Sequence, residues 1–153
     1  MARRAAAALA LLALGVGAIG CGEKGVSSGA TVHVYVGPSL CAEAAHELRK
    51  QGDSAGDVKV QVICNPVAER GGHLELATVG AAARRASEDS TAIAYVETPG
   101  RSSRFSRPIL EVAGIAWTTG SSGASVMGRV LRAVSEADTN SLRDSVREAL
   151  ESP

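Results

Sequence analysis

Residues 31–37, TVHVYVG, alternate along the chain: Val32, Val34 and Val36 face one way, and Thr31, His33 and Tyr35 the other. Strict alternation with β-branched enrichment predicts a strand. Gly37-Pro38-Ser39 turns the chain, and CAEAAHELRKQG then places Ala44, Ala45 and Leu48 on one helical face, with Gly52 as its stop. DSAGD reads as a turn, and residues 58–64, VKVQVIC, as a second alternating strand that Asn65-Pro66 ends. A loop over 67–72 leads into a helix from about Gly72 to Ser87. Leu76, Val79, Gly80 and Ala83 form its narrow apolar stripe. Arg84 and Arg85 stand near its C-terminus, where the helix dipole favours cations.

The pattern then repeats. AIAYVE, residues 92–97, predicts a third strand, followed by a small polar loop over Thr98–Ser103. A helix over about 103–113 carries Phe105, Pro108, Ile109 and Val112 at helical spacing, and Gly114 ends it. A fourth strand over 115–118 runs into the Gly/Ser-rich loop Thr118–Gly123. Two helical stretches close the chain: Val126, Met127, Val130, Leu131 and Val134 recur at helical spacing in the first, and Leu142, Val146, Ala149 and Leu150 in the second. Ser141 with Asp144 reads as a capping box. Strand–helix–strand repeats are parallel crossovers. The order predicts an α/β fold: a doubly wound, mostly parallel four-stranded sheet flanked by helices, with two C-terminal helices. In such sheets ligands sit beyond the strand C-termini, so the loops at Thr98–Ser103 and Thr118–Gly123 are the places to expect one.

A chain of 153 residues is one domain by length. Residues 1–20 hold Arg3 and Arg4 and then an uncharged apolar run, the layout of a signal peptide. The run is short for a membrane span, which makes permanent anchoring by this helix the weaker reading. Ala18-Ile19-Gly20-Cys21 resembles a bacterial lipobox, with Ala18 where that motif usually has leucine. It implies lipidation of Cys21; ordinary cleavage and secretion is the alternative. Polar residues 21–30 suit a flexible tether, leaving 31–153 as the folded unit. Loss of residues 1–20 leaves 14 basic against 16 acidic residues, a net charge of −2. With scattered arginines, two Tyr and one Phe, nothing resembles a nucleic-acid surface.

With Cys21 assigned to lipid, Cys41 and Cys64 remain as a pair, which outside the cytoplasm is expected to oxidise. Cys41 lies shortly after the first strand and Cys64 ends the second, and in a doubly wound sheet those ends share an edge. A bridge would close a loop of about 24 residues, for which chain entropy gives roughly 3 kcal/mol. Two separate thiols are the alternative; a redox-active pair has no C-x-x-C behind it.

ARRASEDSTAIAYVE followed by SRFSRPILEVAGIAWTT resembles the first lobe of type I periplasmic solute-binding proteins, the leucine/isoleucine/valine-binding class of ABC importer components. In that family a basic helix end leads to an "IAYIG" strand, a Ser-containing loop, a "PILNEAGI" helix and strand, and a small polar loop. MGRVLRAVSEADTNSLRDSVREAL resembles a different part, the family's late helices that pack back onto the first lobe. Their counterparts are Met127, Val130, Leu131, Ala133, Arg143, Val146, Ala149 and Leu150. The resemblance covers roughly Val32 to Leu150, without the second lobe that the family inserts between these parts. It implies a single-lobe derivative. Pro99-Gly100-Arg101 replaces the family's first ligand loop with one residue deleted, Ala116 stands at a family proline, and the loop after the first strand is shortened and carries Cys41.

The resemblance implies a ligand site at Gly100, Arg101, Ser102, Ser103, Thr119, Ser121 and Ser122, for an amino acid or small carboxylate. The same hydroxyls also suit helix capping and loop backbone. The function expected is a secreted or lipid-anchored single-lobe solute-binding domain serving an ABC-type permease, held at the membrane by an N-terminal lipid. The alternative is a non-catalytic envelope interaction or structural lipoprotein that has lost its ligand. His33, His46 and His73 lack metal-ligand spacing; His33 is expected on a strand, the other two on helices. No Ser-His-Asp order, G-x-S-x-G or P-loop is present, so no enzyme and no cofactor is expected. Trp117, at a strand end, suits packing under a helix or the lining of a pocket.

Overall fold

The structure is a computed structural model that describes Gly29, residues 31–138 and residues 140–152. The expected signal peptide, the lipidation site Cys21 and all of the tether but Gly29 lie outside the described residues. Twelve elements follow in order: β1 (Thr31–Val36), α1 (Pro38–Lys50), β2 (Ser54–Ala55), β3 (Val58–Cys64), β4 (Glu69–Arg70), β5 (His73–Leu74), α2 (Leu76–Glu88), β6 (Ala92–Glu97), α3 (Ser103–Val112), β7 (Ala116–Thr119), α4 (Gly123–Glu136) and α5 (Leu142–Glu151).

The fold is α/β with a mixed five-stranded sheet in the order β2-β3-β1-β6-β7. β3, β1, β6 and β7 are parallel neighbours, and β2 joins the edge antiparallel to β3. The expected count of four strands is therefore corrected to five: DSAGD is both the turn and a two-residue edge strand, with Gly56 at φ 58° where the chain reverses. Order reverses between β1 and β6. The chain steps from β1 out to β3, then returns over β1 to β6 and β7.

The two faces of β1 build two cores. Val32, Val34 and Val36 pack with Leu40, Ala44 and Leu48 of α1, Val126, Met127 and Val130 of α4, and Leu142, Val146 and Leu150 of α5. Tyr35 faces the other way, with Tyr95, Ala83 and Ala86 of α2, Leu110 of α3, and Ile115. Helices thus cover both faces, and the last two lie against the sheet side of the first core. α4 and α1 approach so closely that a Cβ on Gly123 would lie 2.1 Å from the Leu40 carbonyl oxygen.

Several local expectations change. α1 starts at Pro38, whose fixed φ and missing N–H suit the first helical turn. α2 starts at Leu76, not near Gly72, because Gly71 and Gly72 adopt φ 57° and 78° and turn a small hairpin, β4 against β5. His73 therefore lies on a strand, not a helix. Leu76 is 49% exposed, and the stripe of α2 is Val79, Ala82, Ala83 and Ala86. On α3 the expected apolar face is only partly used: Val112 is 92% and Phe105 48% exposed, Ile109 is half-buried against the second core, and Ser106 and Leu110 are buried. α3 ends in a Schellman motif, Ile115 N–H to the Leu110 carbonyl and Gly114 N–H to the Glu111 carbonyl, with Gly114 at φ 70°. Ser141 and Asp144 form no capping box; the Ser141 hydroxyl donates to the Asp138 carbonyl, and Asp144 pairs with Arg147.

Candidate functional site: a cleft where the strand order reverses

Main-chain bonds continue the sheet past its C-terminal edge. Asn65 N–H donates to the Val36 carbonyl at 2.8 Å, Gly37 N–H to that of Val96 at 2.7 Å, and Gly120 N–H to that of Glu97 at 2.9 Å. These bonds hold the ends of β3, β1, β6 and β7 level. Gly37 permits the closest approach, since a Cβ there would sit 3.3 Å from the Glu97 Cα. Beside Gly37, at the reversal point, a cleft of about 250 Å³ opens between α2, the hairpin and the start of α3. Gly37 and Ser39, Asn65, Leu74, Thr78 and Val79, Tyr95 and Glu97, and Thr98 and Ser102 are among the residues that line it. Switch points of this kind are the usual ligand position in open parallel sheets.

Glu97 is 6% exposed although it carries a carboxylate. Its Oε1 accepts two hydrogen bonds, from the Trp117 indole N–H at 2.8 Å and from the Ser106 hydroxyl. Trp117 pairs in register with Tyr95, and Tyr95 with Tyr35, so three of the four aromatic rings of the chain stand in a row across the sheet. The rings of Tyr35 and Tyr95 lie 6.4 Å apart and nearly parallel. Burial first, and then the negative charge of Glu97, push the Tyr95 phenol up, so it stays protonated beside the carboxylate. Arg107 stacks on the outer side of Trp117, 5.0 Å from the ring centre.

Asn65 is 8% exposed, and its Nδ2 has no hydrogen-bond partner among the described residues. An unpaired buried donor costs about 1–3 kcal/mol, and this one belongs to a residue of the cleft wall but lies beneath its surface.

The residues expected to bind a ligand do not converge. Ser102 lines the cleft. Arg101 is not part of the lining; it reaches the hairpin, donating to Gly72 O at 3.0 Å and Glu69 Oε1 at 3.3 Å, so it latches β4 and β5 to the loop after β6. The Gly100 carbonyl accepts from the Ser103 hydroxyl at 2.7 Å, a bond within the turn that opens α3. Thr119 lines a separate depression with Trp117, Arg107 and Arg147. Ser121 is exposed. Ser122 caps α4, accepting from Ser125 N–H at 3.3 Å, and its hydroxyl and the Gly123 N–H both meet the Glu43 carboxylate. Asn65, Glu97 and Ser106 were absent from the expected set. A charged residue closing an apolar strand and a serine within the α3 stretch were the available signals.

Cys41, in the first turns of α1, and Cys64, at the end of β3, form a disulfide with Cα atoms 5.6 Å apart. It ties α1 to the strand that carries Asn65 into the cleft. A second polar cluster lies at the other end of the sheet. Asp89 accepts from the Tyr35 hydroxyl at 2.9 Å and from the Thr91 hydroxyl at 2.6 Å, and meets His33 Nδ1 at 2.6 Å. Burial would raise the Asp89 carboxyl, but the hydrogen bonds from Thr91, His33 and Tyr35 outweigh it and hold the group well below the usual range. Far from the reversal point, this cluster ties β1 to the turn before β6. Among the described residues no three His, Cys, Asp or Glu are grouped to hold a metal ion, and no helix is long and apolar enough to cross a membrane. No protein-family model matches the chain, and no match is found among curated proteins or solved structures.

Proposed function

We propose that this protein is an extracytoplasmic solute-binding module built on one lobe of the type I binding-protein kind. It holds a small polar solute in the cleft where the strand order reverses. The observation that carries this reading is the cleft itself: about 250 Å³ at the switch point, floored by the buried Glu97 and lined by an asparagine whose buried Nδ2 has no partner among the described residues. A few polar groups in a mostly apolar concavity are what a small-molecule site requires. The volume suits a compact solute, and one lobe leaves it open on a side, so binding is weak and exchange fast. Handover to a permease follows the resemblance of Val32 to Leu150, and membrane retention through a lipid on Cys21 follows the lipobox resemblance of Ala18-Ile19-Gly20-Cys21. The test is a calorimetric and fluorescence screen of the full chain against amino acids, amines, small carboxylates and polyols. Silence across that panel would sink the solute role. Mass spectrometry of the mature N-terminus separates a lipid-modified Cys21 from plain cleavage.

A second reading has its own observation. Val112 at 92% and Phe105 at 48% exposure give α3 an outward apolar face. In this reading the module meets another envelope protein through α3 and holds no solute. Crosslinking in cells from position 112 that captures only the chain itself would count against it.

A further inference from the structure

We propose that the cleft takes a small protonated amine, with the Glu97 carboxylate as its counter-charge. This deepens the solute-binding reading and rests on it. Among the described residues that line the cleft, only Glu69 and Glu97 carry charged side chains. Glu69 stands at the exposed rim and pairs with Arg101 at 3.3 Å. Glu97 has no ion-pair partner among the described residues.

Both of its contacts, Trp117 Nε1 and Ser106 Oγ, are neutral donors and fall on the same oxygen, Oε1. Neutral donors fix the orientation of a carboxylate without cancelling its charge. Oε2 accepts no hydrogen bond from any described residue, which leaves an oriented anionic acceptor at the cleft floor. A protonated amine supplies the missing charge and a strong, short donor. A carboxylate ligand would instead face a like charge in a partly desolvated site, where such repulsion is poorly screened. Asn65 lines the same cleft. Its Nδ2, buried without a hydrogen-bond partner among the described residues, would donate to a ligand oxygen once the side chain turns toward the cleft, which adds the second requirement, an acceptor on the ligand. The class is therefore a short amine bearing a hydroxyl or carbonyl oxygen, an amino alcohol or amino amide, small enough for a space of about 250 Å³.

The experiment titrates the full chain, disulfide intact, with ethanolamine, glycinamide, acetate and glycerol. Heat and the emission of Trp117 are followed; that residue is the sole tryptophan and is bonded directly to Glu97. Ethanolamine and glycinamide are expected to give saturable changes that weaken as salt is raised, and acetate none. Glu97→Gln keeps an oxygen for Trp117 and Ser106 but loses the charge, and should weaken amine binding about tenfold or more. Asn65→Ala should weaken glycinamide severalfold while the preference for amines over acetate remains. Binding of acetate or glycerol with silence from the amines overturns the amine assignment alone. Amine affinity unchanged in Glu97→Gln does the same. Should that variant fail to fold, amine binding by the wild type that is indifferent to salt overturns the assignment. Silence from all four probes overturns the amine assignment, and silence extended over the wider panel of solutes removes the solute reading as well.

Discussion

The Trp117 indole donates to Glu97 Oε1 at 2.8 Å, so the chain's only tryptophan is anchored to the carboxylate at the floor of the cleft. The Ser106 hydroxyl of α3, fully buried, donates to the same oxygen. One oxygen thereby joins β6, β7 and α3. Glu97→Leu would leave both donors without an acceptor and should lower stability by about 2 kcal/mol or more. Glu97→Gln retains a carbonyl for both and should cost less. Urea unfolding of the two variants, followed by far-UV circular dichroism, checks the difference; equal losses would mean that the two hydrogen bonds contribute nothing.

The helix pair α1 and α4 yields a sharper test from two glycines of one helix. A Cβ at Gly123 would lie 2.1 Å from the Leu40 carbonyl oxygen and 2.9 Å from the Ala44 nitrogen, so both backbones would have to part. Gly123→Ala should cost about 1–3 kcal/mol, as overpacking does, and more if Glu43 loses its hold on the Gly123 N–H. A Cβ at Gly128 meets nothing within 4 Å. Gly128→Ala should therefore stabilise α4 by about 0.5–1 kcal/mol through its helical preference alone. Denaturation midpoints of opposite sign are the expected result.

Reduction of Cys41–Cys64 should lower stability by roughly 3 kcal/mol, the chain-entropy value for a loop of this size. Cys64 is exposed while Cys41 is 4% exposed, so a soluble reductant reaches the bridge from the Cys64 side. Melting curves with and without reductant, beside a Cys41→Ser/Cys64→Ser double variant, measure it. The melting temperature of the double variant should not respond to reductant.

The polar cluster under β1 predicts the pH limits of stability. The Asp89 carboxyl is held below its ordinary 3.8 in the folded state. Its contribution is complete above that value and is lost as pH falls through it toward the folded pKa. Tyr35 is shifted the other way: burial, then its hydrogen bond to Asp89, raises it above 10.0. Its contribution is complete below 10.0 and is lost as pH rises beyond. Urea midpoints should fall at both ends. Asp89→Asn should flatten the acid limb, and Tyr35→Phe should remove part of the alkaline one, the rest coming from the raised Tyr95 phenol. An acid limb unchanged in Asp89→Asn would refute the role given to this cluster.

Much of this architecture was legible in the alternation of Val32, Val34 and Val36 and in the helical spacing of Val126, Val130 and Val134, because burial selects for apolar side chains at those periods. The helix over 103–112 misled for a physical reason. Phe105, Ile109 and Val112 are apolar, but the face that packs is chosen by what the sheet offers. Glu97 offers an acceptor that draws Ser106 inward, and Ser106 with Leu110 then sets the packed face, with Ile109 half-buried beside it. Similarly, Gly71-Gly72 carried a hairpin signal in plain view. Their positive φ angles make the turn between β4 and β5 and delay the start of α2 to Leu76.

Local pattern by itself determined the four parallel strands, the crossovers and hence the α/β class, since the period of burial and the glycine and proline stops act within a few residues of chain. It also placed Cys41 and Cys64 at ends that share an edge. Only the tertiary structure decided which polar groups meet. Asn65, Glu97, Ser106 and Trp117 come from four separate segments, and their convergence depends on strand order and register, which arise from contacts far apart in sequence. The hydroxyls that the family resemblance groups together, Ser102 and Thr119, end in different hollows, Ser102 in the cleft with Glu97 and Thr119 in the depression beside Trp117.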